Sequence, residues 1–328
     1  MQLNGSGATF PQPLYEAWAY NFNDHVDTSV SINYSGVGSG QGKKDIINGT
    51  VDFAGSDAAL SGSEAVQKSM VQIPMVAGAV VMAYNLPGVA ALTLDGNTIA
   101  GIYLGNIQKW NDPAIAALNP GVSLPATDIL VVHRADGSGT TNIFTTYLAV
   151  VSKDWRNTVY PAYGTAVNWP ADKLKRGLGG RLNAGVAAAV QQTVGAIGYV
   201  ELAYAISNKI PFASQINHAG KTVTASTDST IAAMKNAWFD SRMASIIVDS
   251  SDPAAWPISG FTYIIMNGNY QDCAKATKLT QWIVWDLTSD EAKASALSLN
   301  YAPVPPSIVP AIGQKILKVF CQGKPIYQ

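Results

Sequence analysis

Apolar positions along this chain keep changing their period. Val30, Ile32 and Tyr34 alternate with polar neighbours, as in a half-buried strand. Ile46 and Ile47 then open a short helix and residues 51–54 read as the next strand, so the three segments make one βαβ unit. A second unit runs from the apolar residues 129–132 through a polar loop into Ile143, Phe144, Tyr147, Leu148 and Val151, which share one helical face. Segments around 186–191, 197–200, 231–238, 279–287 and 312–320 continue the alternation. Such a pattern predicts an α/β fold with a largely parallel sheet. No fixed-period repeat or low-complexity tract interrupts it.

Length changes this picture from one unit to two, because 328 residues exceed the usual domain of about 150 residues. The 48% apolar content argues against disorder, and a charged fraction of 13% describes a quiet surface. With 21 basic against 22 acidic residues there is no broad basic footprint, which excludes counterion-release binding to nucleic acid. The longest apolar stretch, 74–84, falls well short of the roughly 20 residues that a membrane span needs. Residues 1–7 have neither the basic nor the apolar region of a signal peptide, so they give no direct sign of export. Cys273 and Cys321 are the only cysteines. Joined, they would close a loop worth roughly 4 kcal/mol in the chain-entropy model; two buried thiols are the alternative.

Four loops carry candidate chemistry. Gly5-Ser-Gly-Ala-Thr-Phe-Pro-Gln-Pro13 precedes Leu14, Trp18 and Phe22 at helical spacing, which places a helix start just after Thr9. Its first amides lack intrahelical partners and, with the helix dipole, either serve as plain caps or receive an anion. Gly36-Val-Gly-Ser-Gly-Gln-Gly-Lys43 lies between a strand and a helix, where glycines admit a ligand close to the backbone. A P-loop reading fails on register, since Val37 occupies its first glycine position and Lys44 its Ser/Thr position; a dinucleotide pattern beginning at Gly36 fails at Gln41. A flexible turn is the plain alternative. His133-Arg-Ala-Asp-Gly-Ser-Gly-Thr-Thr141 joins a buried strand to an amphipathic helix. There Arg134 can grip an oxyanion with its planar fork, Asp136 can hold that guanidinium from behind, and Ser138, Gly139 and Thr140 occupy an N-cap. An ordinary Arg–Asp pair with a cap is the other reading. Asp57 follows a strand, where an acid usually caps. In an anion site it would accept the proton that phosphate keeps at neutral pH and repel fully ionised sulfate.

Taken together, these segments resemble the periplasmic phosphate-binding protein of the phosphate-specific ABC importer. The resemblance rests on Gly-Ser-Gly-Ala-Thr-Phe-Pro from Gly5, Gly-Val-Gly-Ser-Gly from Gly36, Val-Asp-Phe-Ala-Gly-Ser-Asp-Ala from Val51 and Arg-Ala-Asp-Gly-Ser-Gly-Thr from Arg134. Ile-Tyr-Leu-Gly from Ile102, Lys-Trp-Asn-Asp-Pro from Lys109, Gly-Ala-Ile-Gly-Tyr-Val-Glu from Gly195 and Ala-Trp-Pro-Ile from Ala255 extend it over most of the chain. It implies a two-lobed Venus flytrap of type II with mixed, largely parallel sheets. Lobe 1 would be discontinuous (1–80 and 260–328) and lobe 2 would take 81–259, with crossings near 80–85 and 256–262 and phosphate in the cleft. It implies backbone donors at Thr9 and Phe10 with the Thr9 hydroxyl, further donors at Ser39, and Asp57 as acceptor. Arg134 becomes the charged donor, Asp136 its orienting partner, and Ser138, Gly139 and Thr140 the hydroxyl and helix-start donors.

The same resemblance implies an exported or periplasmic monomer that hands phosphate to a membrane permease, with no cofactor, no metal and no catalysis. His133 departs from the family pattern beside the site, as a flanking polar residue or a titrating neighbour; Gly40 and Gln41 depart likewise. An exported phosphatase finds little support in three scattered histidines, His25, His133 and His218, and no G-x-S-x-G elbow. Arsenate, close to phosphate in shape and protonation, remains an alternative ligand.

Overall fold

The computed structural model describes residues 1–66 and 69–327 and is mixed α/β. The chain divides into two compact units. Unit 1 comprises Met1–Ala77, Ala237–Ile246 and Phe261–Gln328, and unit 2 comprises Gly78–Asn236 and Ile247–Gly260.

Unit 1 begins with strand β1 (Gln2–Gly7), helix α1 (Gln12–His25), strand β2 (Ser31–Gly36), helix α2 (Ser39–Asn48) and strand β3 (Phe53–Ser56). The first strand is not announced by its side chains. It forms where glycine is required, since a Cβ on Gly5 would lie 2.2 Å from the Phe53 ring and one on Gly7 would lie 2.1 Å from the Gly55 carbonyl oxygen. The expected βαβ unit therefore has β1 in its middle: β1 pairs parallel with β2 on one side (Leu3 with Ile32) and with β3 on the other (Gly5 with Phe53). Ile46 and Ile47 lie in the last turns of α2 rather than at its start, because the glycine-rich segment from Ser39 is itself helical. Strand Ser259–Met266 then pairs antiparallel with β3.

The core of unit 1 is aromatic. Leu14, Tyr15, Trp18 and Phe22 form the buried stripe of α1, and Trp282 of helix Cys273–Thr288 packs 5.1 Å from Phe53 and 6.2 Å from Tyr15 between ring centroids. Cys273 and Cys321 are bonded, with Cα atoms 5.4 Å apart, which ties the start of that helix to a short C-terminal strand.

Asp286 breaks the apolar rule on the same helix. It is buried, and neither carboxylate oxygen has a hydrogen-bond partner among the described residues. Burial alone pushes its pKa well above the ordinary carboxylate value. A pKa raised on folding means that the native state holds its proton more tightly than the unfolded chain does. The protein is then least penalised at pH below about 4, the unfolded value, and loses stability as pH rises through the window up to the folded value. Asp286→Leu, which removes the buried polar group and keeps the branching of the side chain, is expected to stabilise unit 1 at neutral pH by about 2 kcal/mol. Thermal unfolding at pH 7 and pH 4 checks this: the gain should shrink at the lower pH, and a lower melting temperature at pH 7 would refute it.

In unit 2 the second half of strand β4 (Val71–Tyr84) pairs antiparallel with strand Ala196–Glu201. That strand pairs parallel with Leu130–Arg134, which pairs parallel with Gly177–Gly180. Phe144 from helix Gly139–Val151 stacks on Tyr199 at 4.5 Å and meets Tyr103 edge-on at 4.8 Å. This cluster fixes Tyr199 against the end of the strand that carries Arg134. Among the described residues no helix is long and apolar enough to cross a membrane.

Candidate functional site

Three loops of unit 1 leave the C-terminal ends of β1, β2 and β3, which lie side by side and parallel, the edge at which α/β sheets bind ligands. The first runs through buried Thr9 and Phe10. Tyr34 Oη donates to the Ala8 carbonyl at 2.8 Å, and the Gln12 amide donates to the Thr9 carbonyl at 3.3 Å. A trans peptide sets its N–H opposite its C=O. Holding those two carbonyls therefore aims the amides of Thr9 and Phe10, which complete the same peptide planes, in the opposite direction. Tyr301 Oη holds the next carbonyl, that of Phe10, at 2.7 Å. The helix itself starts at Gln12, so Thr9 and Phe10 belong to the turn before α1.

Ser39 is the first residue of α2 and is fully buried. Its Oγ accepts the Asp57 amide at 3.2 Å, which joins the second loop to the third. Ser56 Oγ donates to the Ala58 carbonyl at 2.6 Å and closes the turn that presents Asp57. Lys43, whose glycine-rich surroundings invite a nucleotide reading, has a structural task. Its Nζ donates to the Ala59 carbonyl at 3.1 Å and lies 3.3 Å from Glu64 Oε2. Burial draws the Lys43 pKa down, and the Glu64 carboxylate opposes that. The ammonium thus braces α2 against the loop that carries Asp57.

In unit 2, Arg134 ends its strand, with its side chain almost wholly buried. The guanidinium grips Asp136 with two bonds, Nε to Oδ1 at 2.8 Å and Nη2 to Oδ2 at 2.5 Å. Asp136 Oδ1 also accepts the Leu182 amide at 2.9 Å. Burial pushes the Asp136 carboxyl up, but the Arg134 hydrogen bonds and charge, with the backbone bonds, outweigh it and hold the pKa below its ordinary value. The remaining guanidinium nitrogen, Nη1, faces Thr140 Oγ1 at 3.5 Å. Ser138 caps helix Gly139–Val151 by accepting the Thr141 amide at 3.0 Å. Helix geometry gives the amides of Gly139 and Thr140 no acceptor inside the helix, and the dipole favours negative charge there.

Tyr199 locks this arrangement from behind. Its hydroxyl accepts the Arg134 amide at 3.0 Å and lies 2.6 Å from Thr141 Oγ1. Burial pushes its pKa up to about 12, so it remains a neutral phenol. His133 is buried too: Nε2 lies 2.8 Å from Asp172 Oδ1, Nδ1 lies 3.1 Å from the Arg134 carbonyl, and the ring stacks on Trp169 at 5.1 Å.

Each unit thus assembles one set of the expected residues: Thr9, Phe10, Ser39 and Asp57 in unit 1, and Arg134, Asp136, Ser138, Gly139 and Thr140 in unit 2. The tasks of the residues that aim them, Tyr34, Tyr301, Lys43 and Tyr199, are not visible in the sequence, where Lys43 reads as part of a glycine-rich loop and Tyr199 as part of the segment from Gly195. Among the described residues no group of three His, Cys, Asp or Glu side chains is arranged to hold a metal ion.

Residues 1–291 match a PBP superfamily domain, which defines the class of binding protein to which this fold and these loops belong. Two relatives narrow the class. Phosphate-binding protein PstS of Xylella fastidiosa is 40% identical over 316 residues, covering 95% of this chain and 84% of its own. Phosphate-binding protein PstS of Pasteurella multocida is 39% identical over 316 residues, covering 94% and 88%. The chain belongs to the PstS family of phosphate-binding proteins. A solved structure of a high affinity periplasmic phosphate-binding protein (PfluDING) bound with phosphate shares the fold, with a TM-score of 0.76 over 96% of this chain and 93% of that one, at 24% identity.

Proposed function

We propose that this protein binds one inorganic phosphate ion with high affinity and delivers it to the permease of an ABC importer without chemistry of its own. It works in this reading outside the cytoplasmic membrane. The observation that carries the proposal is the buried Arg134–Asp136 pair at a strand end, with its third nitrogen turned toward a capped helix start. A bidentate carboxylate satisfies two edges of the guanidinium and leaves one for a further anion, while the helix start supplies amides to the same charge. The names and sequences of the relatives support the same ligand.

Thr9, Phe10, Ser39, Ser138, Gly139 and Thr140 act as neutral donors, Arg134 as the charged one, and Asp57 as acceptor from the phosphate proton. Titration calorimetry of phosphate-stripped protein at neutral pH tests this directly. One-to-one phosphate binding without sulfate binding is expected, and no heat with phosphate on folded, empty protein would refute it. Asp57→Asn is expected to weaken discrimination against sulfate more than it weakens phosphate affinity, because the repulsive charge goes while an acceptor oxygen stays. Equal losses for both ions would remove Asp57 from the selectivity role.

A further inference from the structure

Asn183 is the second residue of helix Leu182–Gln192 and is fully buried. Its Oδ1 accepts the Glu201 amide at 3.3 Å. A backbone N–H can only donate, so this contact fixes which end of the Asn183 side chain is oxygen and leaves Nδ2, a donor, on the other side. Nδ2 donates to Thr140 Oγ1 at 3.3 Å. The same hydroxyl oxygen receives Arg134 Nη1 at 3.5 Å.

A threonine hydroxyl has two acceptor lone pairs and one proton. Here both lone pairs face donors, one from the amide and one from the guanidinium. The proton is the only valence left, and it turns away from both. We infer that Asn183 is a positioning residue for the anion: by donating to Thr140 Oγ1 it converts an ambidextrous hydroxyl into an obligate donor. The inference rests on the phosphate reading above, in which Thr140 meets the ligand.

The consequence is a division of labour over protons. With Thr140 unable to accept, this hydroxyl cannot take the ligand proton, and a protonated ligand oxygen has to find its acceptor elsewhere, at Asp57. Without Asn183 the Thr140 hydroxyl regains a lone pair and can rotate, and the site loses part of its preference for one ligand orientation.

A double-mutant cycle read by calorimetry with inorganic phosphate tests this. Asn183→Leu is expected to weaken phosphate binding about tenfold, the worth of one oriented hydrogen bond to a charged ligand. In protein already carrying Thr140→Val, which has no hydroxyl to orient, the same change should cost several-fold less, since the part of its effect that runs through that hydroxyl is already gone. Asn183→Asp provides a second arm that keeps the acceptor for the Glu201 amide but draws the Thr140 proton toward its own carboxylate. Its loss should likewise be several-fold larger with Thr140 present than with valine. Equal losses in the two backgrounds, or no loss for either Asn183 variant, would overturn the role of Asn183 while leaving phosphate binding by the unaltered protein intact. Failure of the unaltered protein to bind phosphate would instead overturn the functional reading and this inference with it.

Discussion

Arg134→Ala is expected to abolish useful phosphate affinity, with a loss of about 3–5 kcal/mol, or roughly two to three orders of magnitude or more in the dissociation constant. Two effects add. The anion loses its charged donor in a buried setting, and Asp136 is left as an unpaired carboxylate beside the place where phosphate should sit. Asp136 is stabilised as a carboxylate chiefly by Arg134. Its depressed pKa contributes stability above the unfolded value of about 4 that is lost as pH falls through the folded value. The alanine variant should therefore also melt earlier at neutral pH, and the melting deficit should narrow in acid. Arg134→Ala combined with Asp136→Ala separates the effects: thermal stability should recover in part, because no buried charge is orphaned, while phosphate binding stays lost. Arg134→Lys keeps the charge but not the fork and should fall between. Calorimetry that finds near-normal phosphate binding in the alanine variant would remove Arg134 from the site.

The residues proposed to touch phosphate and the residues that hold them in place differ in how visible they are in sequence. Arg134, Asp136 and the Ser138–Thr140 cap stand within a few positions of one another, and their chemistry follows from local spacing: a fork, a carboxylate two residues on, then a helix start. The glycine-rich stretches at 5–7 and 36–42 were equally legible as places of close backbone approach, although their strand and helix content was not. β1 has too few β-formers to show as a strand, because its glycines answer to Phe53 and Gly55 on a neighbour some fifty positions away. The sequence pattern starts α2 too late for a related reason, since Gly40 and Gly42 read as loop residues. A Cβ on Gly42 would fall 2.4 Å from Gly7 Cα, so the helix needs that glycine to pack on β1.

Tyr34, Tyr199, Tyr301 and Asn183 were illegible for a different cause. Each acts on a loop far from it in the chain: Tyr34 on Ala8, Tyr199 on Arg134, Tyr301 on Phe10 and Asn183 on Thr140. Nothing in local period or composition distinguishes a tyrosine that pins a ligand loop from one that fills a core. Their shared logic appears only in three dimensions, where each bond holds a loop or a hydroxyl that carries a candidate donor. In the proposed reading, orientation of donors before the ligand arrives would let neutral groups hold an anion out of water, because little reorganisation would have to accompany binding.

Replacing Cys273 and Cys321 with serine is expected to cost unit 1 up to roughly 4 kcal/mol, the chain-entropy value for a closed loop of this length. The two cysteines are separated by 48 positions, and the closed segment includes the whole of helix Cys273–Thr288 with Trp282 and Trp285, which pack on Phe53 and Phe22. Losing the bond enlarges the unfolded ensemble of the segment that supplies much of the aromatic core. The transition of unit 1 should then move down by roughly 10 °C, given the usual 2–4 °C per kcal/mol at this size. Phosphate affinity should change less than about twofold, because a penalty carried by the unfolded chain does not enter a binding equilibrium of the folded one. The bond also joins elements that contribute no donor to the loops at Thr9, Ser39 or Asp57. Scanning calorimetry with and without saturating phosphate separates the two quantities: the ligand-induced rise in melting temperature should be nearly the same in both proteins, and an affinity loss that tracks the stability loss would show that the disulfide shapes the folded anion loops.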